Sequence, residues 1–282
     1  MKKTCVGASI LAVGLSLMGH AATLTVTNGL TLHFRADSGV YSNDVGTIPA
    51  TDGSTVGMWS NVGYYAGGSL ISPDGSGLQP TYHTGVLNGL PVVRFDGSDD
   101  RMTAGLAFTS FLGLSSWTIF AVFEADSVSA TGPEGYNSQA IFMDSGGNVG
   151  MPVRSASGVP KVMAYSYTGA AYPPAQTFNT NQFTFAVATL GGGLVSIQSA
   201  GAGSATTGTV TSAAGGNTAG SGLRVGMGSG SQWLDGDIAE LLFYNRTLAA
   251  DEWLSVTSYL NTKYALGLLA PLPPRGTMVL IH

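Results

Sequence analysis

Cysteine is nearly absent from this chain: the only one is Cys5. Past that position disulfides, thiolate metal sites and a cysteine nucleophile are all excluded. Charge is scarce too. Asp, Glu, Lys and Arg together make up 10% of the residues, against about 25% in an average globular protein. Lysine is limited to Lys2, Lys3, Lys161 and Lys263, and the formal net charge is -5. A chain without clustered Lys and Arg cannot neutralise a phosphate backbone, so nucleic acid is excluded as a partner. An anionic membrane surface is disfavoured for the same reason. Histidine is restricted to positions 20, 33, 83 and 282, which with the missing thiols argues against zinc. No G-x-S-x-G elbow, H-E-x-x-H motif or phosphate loop occurs.

What is abundant is glycine, 41 residues, within a chain that is 44% hydrophobic. That hydrophobic share is too high for disorder, and 282 residues can bury a substantial core. Low charge with many turn-formers points to an exported, turn-rich β protein. The start of the chain agrees. Lys2 and Lys3 precede an apolar run over 6–19, and Gly19-His20-Ala21 offers a small-x-small cleavage site. Residues 1–22 are therefore expected to be a cleaved signal peptide, because the run is shorter than the roughly 20 residues of a membrane span. Removing Lys2 and Lys3 leaves a mature charge of -7. The mature chain is expected to be secreted or held at the cell surface, without membrane insertion.

Period-2 alternation runs through residues 23–245. Expected strands are 23–27, 30–36, 91–97, 115–125, 139–144, 161–168, 182–190, 194–199, 223–228 and 237–245. The stretch 115–125 is apolar on both faces, so it should be a central strand covered on each side. Residues 37–90 read as a long glycine-punctuated loop. One helix is expected over about 248–265. Trp253, Val256, Leu260 and Tyr264 form its apolar stripe, Asp251 and Glu252 occupy its first turn, and Lys263 lies near its end. The fold class is all-β: a two-sheet antiparallel jelly-roll β-sandwich with one C-terminal helix packed on it. The expected organisation is a sandwich over 23–267 and a Pro-containing tail over 268–282.

Several segments together carry a family likeness: LTLHFRADSGV (30–40), VGMWSNVG (56–63), LNGLPVVRFDGSDDRM (87–102), WTIFAVFEAD (117–126) and the closing stretch 234–266. In combination they resemble the LamG-like jelly-roll domains of exported bacterial proteins, within the concanavalin A-like lectin/glucanase superfamily. The resemblance implies carbohydrate binding or adhesion, with a glycan or a cell-surface polymer as partner. One fold hosts many functions, so the inference must be weighed on residues.

Glu240 is the residue that most needs explaining, because it lies within a strand-like apolar run. Regular alternation puts Ala239, Leu241 and Phe243 on one face, and Ile238, Glu240, Leu242 and Tyr244 on the other. A carboxylate there is costly unless paired. Arg94 and Arg35, each flanked by apolar residues, are the expected partners, which makes all three structural. The competing reading is catalytic. Glucanases of the superfamily carry E-x-D-x-x-E, and DGDIAE (235–240) mimics it, with Glu240 and Asp237 as candidates. Gly236 puts Asp235 in a turn, and parity separates Asp237 from Glu240 unless a bulge intervenes. A second near-match, FEADSVS (123–129), aligns Glu124 and Asp126 but has Ser129 where an acid is required.

Three further sets matter. Tyr64, Tyr65, Tyr165, Tyr167 and Tyr172 are ligand-binding candidates, since a tyrosine ring offers a flat apolar body with a polar handle. Asp96, Asp99 and Asp100 are candidate ligands for a structural calcium ion, with tight Asp-Gly turns as the alternative. No other cofactor is expected. His33 reads as a packed or hydrogen-bonded side chain. The leading reading is a non-catalytic carbohydrate-binding or adhesion module. The alternatives are a glycoside hydrolase or polysaccharide lyase built on Glu240, and a self-associating structural envelope protein.

Overall fold

The computed structural model describes residues 22–73, 77–113, 115–129, 138–166, 174–201, 210–213, 222–228 and 232–268. They form two antiparallel sheets packed face to face. The first sheet runs Val210–Ala213, Leu194–Gly201, Thr184–Gly191, Trp117–Ser127, Asp235–Tyr244, Leu90–Asp96 and Thr81–Leu87. Leu30–Arg35 also pairs with the long strand Asp235–Tyr244, alongside its C-terminal half, whereas Leu90–Asp96 takes the N-terminal half. The second sheet runs Ala175–Thr177, Val159–Met163, Val149–Ala156, Gln139–Asp144, Gly222–Val225, Met102–Ala107, Leu70–Ile71, Met58–Trp59 and Val40–Tyr41. Tyr165–Ser166 adds a short pairing to Val149–Ala156.

Two apolar layers explain why the central strands lack a polar face. In Trp117–Ser127, Trp117, Ile119, Ala121 and Phe123 point between the sheets. Phe120 and Val122 point the other way, onto a second cluster built with the helix Ala250–Tyr264. The expected stripe of Trp253, Val256, Leu260 and Tyr264 is the buried face of that helix. Its start is fixed by Glu252, which accepts from the Ala249 N–H at 2.9 Å and is gripped by both Arg246 amino groups at 2.6 Å. That double hold draws the Glu252 carboxyl down to about 2. The helix ends at Ala265 in the left-handed conformation, φ 49°.

The final strand departs from regular alternation in a way that matters for the site. Ile238, Leu241 and Phe243 all face the inter-sheet core, while Ala239, Leu242 and Tyr244 belong to the helix-side cluster. Ile238 and Leu241 are three residues apart, which an unbroken strand forbids. A β-bulge resolves the conflict: the ladder to Trp117–Ser127 slips between Ile238 and Glu240. The face assignment from simple parity is therefore corrected for Ile238 and Ala239, which exchange faces, while Glu240 shares the helix side with Leu242 and Tyr244 as expected. Asp235 is also inside the strand rather than in a turn before it. Gly236 makes this possible: its φ of +151° and the close approach of the Glu124 carbonyl leave no room for a Cβ.

Residues 23–27 are not a strand. Their alternation is real, with Leu24 and Val26 packed on the helix-side cluster. The backbone is held by side chains instead: Tyr244 Oη donates to the Val26 carbonyl at 2.8 Å and Arg246 Nε to that of Asn28 at 3.0 Å. The region read as a long loop contains the strand Thr81–Leu87 and three two-residue strands that extend the second sheet.

Candidate functional site: a sealed carboxylate beneath an open cavity

Glu240 is fully buried. The strand Leu30–Arg35 sends Leu32 and Phe34 into the inter-sheet core, which turns His33 and Arg35 toward the helix side. His33 Nε2 lies 2.6 Å from Glu240 Oε1, and Tyr259 Oη donates to the same oxygen at 2.9 Å. Lys263 Nζ donates to Oε2 at 2.7 Å and Tyr264 Oη at 2.8 Å. Both oxygens are thus doubly engaged. Burial alone pushes the Glu240 carboxyl up. The His33 hydrogen bond, with the His33 and Lys263 charges, outweighs it and holds the group below the usual range. Burial and the Glu240 charge push both phenols well up, which keeps Tyr259 and Tyr264 as donors.

The expected arginine partners pair elsewhere. Arg94 makes a two-pronged bond to Asp237, at 2.7 and 2.8 Å, because those residues face each other across the ladder. Arg35 lies opposite Glu240 in the register but turns its Nε and Nη2 onto Asp37, at 3.0 and 2.8 Å. Asp37 also accepts from Lys263 at 2.9 Å. Burial pushes the Asp37 carboxyl up, but the Arg35 and Lys263 bonds win and bring it down to about 2. A continuous chain results: Arg35, Asp37, Lys263, Glu240, His33. Sequence reasoning passed over Asp37 and Tyr259 and gave Lys263 only a helix-end role. The i, i+4 spacing of Tyr259 and Lys263 was the available signal.

A cavity of about 390 Å³ opens above this chain. His33, Arg35 and Tyr259 line it on the sheet and helix side, Val62 and Tyr64 on the loop side, and the segment from Ala22 to Thr27 closes it. A second cavity, of about 500 Å³, lies between that segment and the helix, and shares Ala22, Thr23 and Tyr259 with the first. Of the five candidate tyrosines, Tyr64 is 73% exposed, the highest value among described aromatic residues. Tyr65 packs against Phe111 and Tyr165 is buried. Tyr167 and Tyr172 lie outside the described residues.

Two acidic groups sit apart from the cavity. The Asp96, Asp99 and Asp100 carboxylates approach within 4.8 Å of one another. Asp96 Oδ1 also caps its own turn, accepting from the Ser98 and Asp99 N–H groups. Burial, then the Asp96 charge, pushes Asp100 up to about 6. These are hard oxygen donors of the kind calcium takes. On the helix-side face of the first sheet, Glu124 stands opposite Asp237 in the ladder and near Asp126. Burial, then the neighbouring carboxylates, raises both Glu124 and Asp126.

No family model matches this chain, and no curated protein does. Solved structures share its fold. An arabinofuranosidase complexed with arabinofuranosyl-α-1,2-xylobiose aligns with a TM-score of 0.54 at 12% identity, over 86% of this chain and 60% of that one. A GH54 α-L-arabinofuranosidase soaked with a cyclic sulfate inhibitor aligns at 0.53 and 13%, over 87% and 60%. A Trypanosoma rangeli sialidase aligns at 0.50 and 14%, over 83% of this chain and 33% of the sialidase. The chain thus spans less than two thirds of each. At these identities the likeness is one of fold.

Proposed function

We propose that the chain is an exported, non-catalytic carbohydrate-recognition module of the LamG-like type. The observation that carries the proposal is the pairing of a sealed acid with an open, polar-walled cavity. A glycosidase needs two carboxyl groups that reach the scissile bond from opposite sides. Glu240 is 0% exposed and has all four of its bonds directed to His33, Tyr259, Lys263 and Tyr264. Asp237, the second acid of the catalytic reading, is buried against Arg94. The cavity presents an exposed tyrosine ring with hydroxyl and guanidinium groups around it, the mixture that recognises sugars. The fold it shares with arabinofuranosidases and a sialidase supports a glycan ligand.

The test is a glycan array with the purified protein, run with and without calcium. Binding to a defined set of glycans is expected. Silence across the array in both conditions contradicts the proposal. A structural calcium held by Asp96, Asp99 and Asp100 belongs to the same reading. Calcium should raise the melting temperature, EDTA should reverse the rise, and Asp100→Asn should abolish it. A melting temperature indifferent to calcium removes the ion.

A further inference from the structure

The cavity above Glu240 has a composition that the net charge of the chain does not predict. The protein is acidic, yet no carboxylate is among the described residues that line the cavity. Its charged contributor is Arg35, and the state of that guanidinium is unusual. Nε and Nη2 are spent on Asp37, whereas Nη1 has no hydrogen-bond partner among the described residues. Asp37 is itself anchored by Lys263, so Arg35 is held by two successive ion pairs and cannot fold back over the cavity. Its partner also raises its pKa, so it stays charged. Beside the strand that carries Arg35, Tyr64 and Val62, whose N–H groups donate to the Leu30 and His33 carbonyls, expose a ring and an aliphatic edge at 73% and 42%. The Tyr64 hydroxyl has no partner among the described residues. The floor is stiff, because His33 and Tyr259 are both tied to Glu240.

A fixed cation with spare donors and an exposed aromatic ring, both lining a cavity of this size, match one ligand chemistry. We infer that the cavity is a subsite for a sugar acid, with the saccharide ring against Tyr64 and Val62 and its carboxylate on Arg35. A carboxylate fits better than a dianionic phosphate monoester. Among the described residues Arg35 is the lining cation with an unspent donor: Lys263 is bound between two carboxylates and His33 is held by Glu240, which leaves no second free cation for a dianion. A neutral sugar would leave the donors of Arg35 facing polar groups that accept more weakly than a charged oxygen. This subsite rests on the carbohydrate-recognition reading and sharpens it to one ligand class.

The experiment is isothermal titration of the mature protein, residues 23–282, with three probes: short oligogalacturonates, the same oligomers as methyl esters, and sodium acetate. Esterification removes the charge and keeps the sugar. The acid form should bind, with the ester and acetate each about tenfold weaker or worse, as expected when a charge-assisted contact or the ring contact is lost. Tyr64→Ala, a change at an exposed ring, should weaken the acid oligomer about tenfold. Arg35→Gln should erase the difference between acid and ester. Because Arg35→Gln also frees Asp37, Thr27→Trp serves as a second variant that fills the cavity from another lining position and should abolish binding. Equal affinity for acid and ester overturns the inference, as does undiminished binding in Tyr64→Ala and Thr27→Trp. So does acetate binding as tightly as the oligomer. If none of the acid probes binds while neutral glycans on the array do, the subsite fails and the broader reading stands. Silence of both overturns the two together.

Discussion

At the scale of single residues, the account turns on how this fold accommodates a buried acid. Glu240 keeps its charge because four donors converge on it, of which Lys263 also ties it to Asp37. The paired carboxylates make the fold sensitive to acid. Asp37 titrates at about 2 in the folded protein against an ordinary 3.8. A depressed folded pKa means that the stabilisation is complete above the unfolded value and disappears as pH falls through the folded one. Glu240 is shifted in the same direction. The contribution of these two groups should therefore be constant from neutrality to about pH 4 and be lost between about pH 4 and 2, whereas Asp100, raised to about 6, adds stability as pH falls below neutrality. Urea midpoints measured across that range should show the fall, and Asp37→Asn should flatten it. That Glu240 serves as an internal anchor was legible from an acid set in an apolar run. Its partners were not, because the argument looked to arginines in neighbouring strands. His33 arrives through the register of Leu30–Arg35, and Lys263 through docking of a helix that ends more than twenty residues later. Neither adjacency is written locally.

At the scale of elements, strands and helix followed from their periodicities where those were long enough to repeat. The helix stripe of Trp253, Val256, Leu260 and Tyr264 is such a case. The pairs Val40–Tyr41, Met58–Trp59 and Leu70–Ile71 are too short to show a period, so that region read as a loop. Residues 23–27 failed in the opposite sense: alternation reports which side chains are buried, and says nothing of whether the backbone has a ladder partner. The bulge beyond Ile238 was foreseen only as a condition, since one extra residue leaves no compositional mark. The helix end supplies a prediction. Ala265 holds a left-handed conformation that costs an L-residue about 1–2 kcal/mol and glycine nothing. Ala265→Gly should stabilise the fold by up to about 1 kcal/mol after the loss of chain entropy is counted. A denaturation midpoint shifted upward with an unchanged slope would show it. A lower midpoint would mean that the cap is held by something other than backbone preference.

At the scale of the whole molecule, one strand belongs to both cores. Asp235–Tyr244 sends Phe243 between the sheets, against Phe34, Phe111 and Phe142, and sends Leu242 and Tyr244 under the helix. Damage in one layer should therefore be felt in the other. Phe243→Ala should cost about 3–5 kcal/mol. The fluorescence of Trp253 on the helix and the far-ultraviolet signal of the sheets should fall together, because the layers have no separate support. The same arrangement links the helix to the cavity: the ion-pair chain that secures the helix to the final strand includes His33 and Arg35, which line it.

The most direct test of that link is equilibrium unfolding of Lys263→Met. The substitution keeps the aliphatic stem and removes the charge between Asp37 and Glu240. A buried carboxylate that has lost its partner should cost about 3–5 kcal/mol. The expected result is a loss of that size at pH 7. A Lys263→Met protein that unfolds at the wild-type midpoint would contradict the account, since Glu240 would then need no internal neutralisation.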